Sequence, residues 1–374
     1  MEGVVVNLSF WRGKRVLITG HTGFKGGWLA LWLQHVGAEV VGYSMAPPSE
    51  PNLFGAARVA ESMISLSGDV RDPVTLQQTF AERRPEIVFH LAAQALVRTS
   101  YADPLDTYST NVMGTANLLE AVRGAGGVRA VVIVTSDKCY ENREWSWGYR
   151  ERDRLGGHDP YSNSKACAEL VTAAYRDSFF PAGDYHRHGV ALASARAGNV
   201  IGGGDWATDR LIPDAIRALA SDQPLQVRSP SAVRPWQHVL EPLSGYLLLA
   251  QSLWVSGTRF AGPWNFGPEE TDAQPVGAVL DRLMQLWGHA APPWQRAVAS
   301  NLHEASCLKL DCALARNELG WRPTWNLQSG LAAVVEWHHA FRGGANMRQF
   351  TLDQIQQFVA ASQLAEAAGA GAAV

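Results

Sequence analysis

The sequence predicts an α/β protein built on a doubly wound parallel sheet, with a smaller C-terminal substrate-binding domain. Three observations predict it. Short, continuously apolar runs alternate with helix-length stretches. A glycine-rich turn joins the first run to the first helix. After about Arg196 the alternation breaks, and glycine, proline and tryptophan become frequent.

The runs are, in order, RVLIT at Arg15–Thr19, 39–43, 64–66, Ile87–His90, 130–135 and 190–195. All are too apolar for a sheet with one wet face, so they are predicted as strands covered on both sides. Between them, 25–36, Pro73–Arg83, 105–123 and 161–179 are predicted as helices. Trp264-Asn265-Phe266 is predicted as one further strand. Residues 1–196 are assigned to a Rossmann-type domain, with segments near 232–266 and 330–345 returning to it. Residues 197–330 form mainly the substrate-binding domain, and 346–374 a C-terminal helix with an Ala/Gly-rich tail that frays from Ala360 on.

Composition narrows the function. Of 374 residues, 47% are hydrophobic and 18% charged, which is globular rather than disordered. A net charge of -3 gives no reason to expect nucleic acid or an anionic membrane surface. No apolar run approaches the ~20 residues that span a bilayer. Residues 1–10 lack the basic start of a signal peptide, so the cytoplasm is the expected compartment. Cys139, Cys167, Cys307 and Cys312 form no C-x-x-C pair, and nothing in the sequence supports a metal site.

Gly20-His-Thr-Gly23-Phe24-Lys25-Gly26 lies between the first strand and the first helix. Glycine there permits a tight turn and lets backbone N–H groups reach a pyrophosphate at the helix's positive end. A dinucleotide is therefore expected. Asp69 and Val70 after the third strand, and Leu91-Ala92-Ala93 after the fourth, complete its expected contacts. No acid closes the second strand before Glu50, and no Lys or Arg occurs from Val40 to Ala57. A 2′-phosphate would lack a local cation, which favours NAD over NADP.

Tyr161 and Lys165 stand four apart at the start of a helix, on one face. Oxidising a sugar alcohol requires proton loss from the hydroxyl as hydride leaves carbon. A neighbouring ammonium and the positive nicotinamide favour the phenolate and lower its pKa from about 10, so this pair suits hydride transfer. The fifth strand ends in Ser136-Asp137-Lys138, a hydroxyl, a carboxylate and an amine in succession.

These motifs together resemble the extended short-chain dehydrogenase/reductase superfamily. Within it they resemble the sugar-nucleotide dehydratase branch of CDP-glucose 4,6-dehydratase type. The resemblance covers roughly 10–340 and rests on GHTGFKGGWL from 20, GYSMAPPSEPNLF from 42, TSDKCYEN from 135, GGHDPYSNSKACAEL from 156, RAGNVIGGGDW from 196, DRLIPD from 209 and RPWQHVLEPLSGYL from 234. It implies an internal redox cycle: oxidation at C4, loss of water across C5 and C6, and reduction at C6, with bound NAD regenerated. Tyr161 is then the C4 base, Lys165 holds the ribose, and Ser136 bonds the C4 oxygen. Asp137 protonates the departing C6 hydroxyl. Lys138 occupies the place of the C5 base, where many relatives carry glutamate. A lysine accepts a proton only when neutral, so its other reading is a cation that stabilises the enolate. Asn199, Arg210 and Arg234 match positions that contact the nucleotide pyrophosphate, with CDP-glucose the favoured substrate. A homodimer pairing helices 105–123 and 161–179 is also implied. The alternatives are a dehydratase or 4-epimerase acting on another nucleotide sugar, and a non-catalytic NAD sensor or scaffold. Asp137 and Lys138 argue against an epimerase, which needs no acid and base for elimination.

Overall fold

A seven-stranded parallel sheet forms the centre of the computed structural model, which describes residues 7–288, 294–297 and 305–371. Its strands are β1 (Arg15–Thr19), β2 (Glu39–Ser44), β3 (Ile64–Ser67), β4 (Ile87–His90), β5 (Ala130–Val134), β6 (Ala191–Arg196) and β7 (Gly262–Asn265). The order across the sheet is β3-β2-β1-β4-β5-β6-β7. The chain reverses direction of travel between β1 and β4, and ligands of doubly wound sheets bind at that crevice.

Side chains alternate between two cores, as strand geometry requires. Val16, Ile18, Val132 and Val134 face one core; Leu17, Val131 and Ile133 face the other. The second core is closed by α2 (Pro73–Arg83) and α3 (Gly114–Gly124). The first is closed by α1 (Phe24–His35), and on that side α1 is itself covered. Trp28, Leu29, Leu31, Trp32 and Leu33 are all buried, so α1 has no wet face. Trp32 meets Phe358 edge-on at 5.8 Å between centroids.

The remaining long helices are α4 (Pro160–Ser178), α5 (Leu211–Ala220), α6 (Leu240–Ser256), α7 (Val276–Trp287), α8 (Leu327–Arg342) and α9 (Met347–Gly371). Helix α6 packs Leu240, Leu243 and Leu247 into the sheet's first core. Helices α5 and α7 build a separate core around Ile212, Ile216, Leu280 and Leu283. Helix α8 serves both: Leu331 and Val334 join the separate core, whereas Trp337 joins the sheet's core. A return of 330–345 to the sheet domain thus describes one side of that helix.

Three expectations need correction. The 105–123 helix is interrupted: Pro104–Tyr108 is α-helical, Ser109–Met113 is a π-turn, and α3 follows. Asn111, inside the π-turn, donates to Ser164 at 2.8 Å and accepts from Gln94 N–H at 2.8 Å, and these tertiary bonds hold the widened turn. The seventh strand starts two residues earlier than predicted, at Gly262, because it pairs with β6 from Ala193 onward. The third strand, predicted as covered on both sides, is largely exposed, with Ile64 44% exposed, because it lies at the edge of the sheet. The segment from Ala360 is helical as far as Gly371. Among the described residues, no helix is long and apolar enough to cross a membrane.

Candidate active site

Every residue assigned a catalytic, cofactor or substrate role from the sequence lines one cavity of about 1280 Å³ at the carboxyl edge of the sheet. The glycine loop forms one wall. Gly20 has φ +80, and a Cβ there would lie 2.7 Å from the Ala92 nitrogen. A Cβ on Gly26 would lie 2.2 Å from the Gly20 carbonyl. Both glycines are therefore required by packing of backbone on backbone. Helix α1 starts at Gly23 with no side-chain cap, leaving its first N–H groups directed at the cavity. An uncapped helix N-terminus beside a Cβ-free cradle fits a dinucleotide pyrophosphate. His21 turns away beneath β2, in space that a Cβ on Gly42 would fill, and bonds Ser65 at 2.7 Å.

The adenosine side holds a surprise for the sequence reading. Arg71, from the turn after β3, reaches Met45 at the end of β2, with Nη2 3.9 Å from the sulfur. A cation therefore does stand at the end of β2, brought from outside the local sequence. It is engaged by Asp69, at 2.6 and 2.8 Å, and by Asp106 at 2.5 Å. Two carboxylates on one guanidinium leave no net positive charge for a 2′-phosphate.

The opposite wall is the turn after β5. Ser136 caps a 3-10 turn over Asp137–Cys139 by accepting from Lys138 N–H at 3.2 Å. Its hydroxyl donates to Asp137 Oδ1 at 3.0 Å. Asp137 is 1% exposed, and its Oδ2 has no hydrogen-bond partner. A Cβ on Gly198 would lie 1.8 Å from that oxygen, so the loop after β6 presses directly on the carboxylate.

Helix α4 delivers the redox pair. Asp159 caps it by accepting from Ser162 N–H at 2.9 Å, and Pro160 occupies its first turn. Tyr161 therefore sits in the first turn and Lys165 one turn on, both facing the cavity. Burial raises the Tyr161 hydroxyl to about 12, against a hydrogen bond with Ser136 and the charge of Arg210. Ser136 and Arg210, rather than Lys165, are the groups that oppose burial. Burial lowers the Lys165 ammonium to about 8, with Glu169 pulling the other way. Its Nζ donates to the Val134 carbonyl at 3.4 Å.

Lys25 was assigned to the cofactor through its place in the glycine loop. The structure sets its Nζ 3.4 Å from the Tyr246 hydroxyl, within the field of Asp137, Lys165 and Arg210. Burial, then Arg210 and Lys165, lower it to about 7. Arg210 also lies closer to the reacting end than its assignment implied; it pairs with buried Asp205 at 3.0 Å. Arg234 lies on the short strand Val233–Pro235 and donates to the carbonyls of Val233 and Ala305. Asn199 adopts a left-handed backbone, φ +47, which asparagine tolerates.

Sequence reasoning missed a buried cluster behind the pair. Glu169 and Arg196, each 3% exposed, form an ion pair at 2.7 Å. Glu169 also accepts from Thr135 at 2.5 Å and Ser194 at 2.6 Å. Breaking such a pair on one side costs about 3–5 kcal/mol. Its one sequence signal was the Tyr-Lys-Glu spacing of four and four. His90, at the end of β4, is buried as well. It lies between Thr19 at 2.7 Å and Thr115 at 3.3 Å, and burial, then Lys165, hold it neutral with a pKa of about 3. Trp206 and Trp236 line the cavity, but their rings belong to packed cores. Trp206 stacks edge-on with Trp337 and Phe341, and Trp236 is 4% exposed. Among the described residues no group of three or more His, Cys, Asp or Glu could hold a metal ion.

Comparison with known proteins points to one group. The family described as GDP-mannose 4,6 dehydratase matches residues 17–257. The chain is 53% identical over 358 residues to a CDP-glucose 4,6-dehydratase of Salmonella typhimurium, covering 96% of this chain and 99% of that protein. Among solved structures it resembles DesIV, a dTDP-glucose 4,6-dehydratase from Streptomyces venezuelae with NAD bound. That match is 26% identical with a TM-score of 0.73 and covers 88% of this chain and 98% of that one. It also resembles the UDP-glucose 4-epimerase of Thermus thermophilus in complex with NAD, at 26% identity and a TM-score of 0.74, covering 88% and 99%.

Proposed function

The chain belongs to the GDP-mannose 4,6 dehydratase family, and from that premise we propose that it converts CDP-glucose to CDP-4-keto-6-deoxy-glucose using NAD. The 53% relative supports the cytidine nucleotide and the glucose. The observation that carries the chemistry is the turn that brings Ser136, Asp137 and Lys138 into one cavity with Tyr161 and Lys165. An epimerase has no use for the acid and base of that turn, although it shares the fold.

The glycine loop, Asp69, Val70 and Leu91–Ala93 would hold NAD, which would supply the hydride acceptor for C4 and the donor for C6. Tyr161 takes the C4 hydroxyl proton while Ser136 holds that oxygen. Lys165 holds the ribose and, below a pH of about 8, carries the positive charge that favours the phenolate. The C4 ketone acidifies the C5 proton, which Lys138 removes. Asp137 protonates the C6 hydroxyl, which departs as water. Asn199, Arg210 and Arg234 bind the substrate's pyrophosphate by charge-assisted bonds. Residues 1–196 serve the cofactor and 197–330 mainly the sugar nucleotide.

We read the assembly as a homodimer in the cytoplasm. Leu105 and Met113, eight apart along one helical path, are 80% and 55% exposed, and Leu170 on α4 is 57% exposed. These large apolar side chains fit a helix-to-helix contact with a second copy.

The test is direct. The protein is incubated with CDP-glucose, UDP-glucose, dTDP-glucose or GDP-mannose, with and without NAD+, and products are weighed by mass spectrometry. Loss of one water from CDP-glucose is the expected result. An isomer of unchanged mass would establish epimerisation instead. C5 hydrogen exchange at the wild-type rate in Lys138→Ala would remove lysine as the base.

A further inference from the structure

Glu169 lies one helical turn beyond Lys165, which lies one turn beyond Tyr161. Its two carboxylate oxygens face different elements. Oε1 accepts from Thr135, the residue before Ser136; Oε2 accepts from Ser194 and pairs with Arg196, both on β6. Arg196 in turn donates to the Tyr140 hydroxyl at 2.7 Å, and Tyr140 donates to Asn265 on β7 at 2.7 Å. Three elements thus meet at one side chain, α4, the turn after β5 and β6, and Arg196 extends the network through Tyr140 to β7.

We propose that Glu169 is a positioning residue for the dehydration, joining the Tyr161–Lys165 helix to the Ser136–Asp137–Lys138 turn and supplying the counter-charge for Lys165. This rests on the reaction proposed above. The groups facing Lys165 leave Glu169 the task. From β5 comes the Val134 carbonyl and from the turn after it the buried thiol of Cys139; from β4 comes neutral His90; from α1 comes Lys25, a second amine. Glu169 is the carboxylate among them. Burial pushes its own carboxyl up, but Arg196 and the bonds from Ser194 and Thr135 outweigh that and hold it below the usual range. It is therefore ionised at neutral pH. Burial draws Lys165 toward the neutral amine, and the carboxylate opposes that loss of charge.

Two readouts test this. NAD+ affinity of the cofactor-free protein is measured by tryptophan fluorescence from pH 6 to 9, and the rate of CDP-glucose dehydration over the same range. In Glu169→Gln the alkaline loss of NAD+ affinity should move down by about one pH unit, a tenfold change in the protonation ratio of Lys165. kcat should fall along the same limb while KM for CDP-glucose holds. Because Gln leaves Arg196 unpaired, the double variant Glu169→Gln with Arg196→Met is made alongside. Replacing a buried pair by apolar volume is tolerated far better than halving it. A positioning role predicts the displaced limb in both variants. A limb at the wild-type pH in either folded variant, or recovery of it in the double, overturns the proposal. The wild-type dehydration assay reports on the reaction separately, so its failure would leave the NAD+ limb as the judge of Glu169.

Discussion

The two walls of the cavity are built from different parts of the chain. Around the glycine loop the contact surface is backbone: Gly20 and Gly26 exist to let carbonyl and N–H groups approach one another and the helix N-terminus. Around the turn after β5 the surface is side chain: a hydroxyl, a carboxylate, two amines and a phenol, with Ser136 bonded to Asp137 and Lys165 to the Val134 carbonyl. A backbone wall binds any ligand with the right phosphate geometry, and its failure mode is steric. A side-chain wall performs proton transfers, and its failure mode is chemical. Substitutions on the two sides should therefore separate binding from chemistry.

The largest separation is expected from Tyr161→Phe. kcat should drop by about 10²–10⁴, the span of a lost acid–base group, with NAD+ affinity within a few-fold of wild type. Equal loss of both would erase the distinction. Gly198→Ala comes next. Its Cβ would occupy the place of Asp137 Oδ2, displacing the carboxylate. Elimination should slow by about a hundredfold, as for a catalytic group misplaced by an ångström. Oxidation at C4 should persist, so reduced cofactor should accumulate and be visible by its absorbance. Gly26→Ala attacks the other wall. It should weaken NAD+ and cost about 1–3 kcal/mol of stability, read by calorimetry and thermal unfolding.

Acid sensitivity is the fourth expectation. His238 is packed between Trp28 and Trp325, and burial lowers its pKa to about 3. A folded value below the unfolded 6.5 means that the unfolded chain binds the extra proton between those limits. The stability is whole above 6.5 and falls as pH drops toward 3. His238→Leu should recover about 2 kcal/mol of the loss between pH 7 and pH 5, in denaturant titrations at the two pH values. His21 and His90 beneath the glycine loop, lowered by burial to about 4 and 3, should keep the rest of the acid limb in place. The smallest effect belongs to Asp106→Asn. Releasing one of two carboxylates from partly exposed Arg71 should raise NADP+ affinity by at most about fivefold, the worth of an exposed ion pair. No change would mean that Arg71 does not face the ribose edge.

Much of this was legible before any coordinates. The strands were legible because most of their residues are apolar, although Ser65 interrupts the exposed edge strand β3. The glycine loop was legible because only glycine satisfies two backbone contacts at that spacing. The Tyr161–Lys165 pair was legible because helical periodicity puts i and i+4 on one face. What escaped were partners distant in sequence. Arg71 reaches the end of β2 only because β3 pairs beside it. Glu169 looked like an ordinary helix residue until β6 brought Arg196 against it. The π-turn at Ser109–Met113 has no local composition that marks it; Gln94 and Ser164 hold it open.

By itself, then, the sequence determined the alternation of the sheet, the cradle at the first turn and the identity of the reacting groups. These depend on interactions within a few residues, where spacing and side-chain type dictate geometry. Tertiary structure decided which charges those groups feel. The phenol of Tyr161 is raised rather than lowered, Lys25 is turned toward the reacting end, and Arg71 is neutralised in place. Such effects follow from burial and from charges carried in on other strands and helices, and neither is encoded in local spacing.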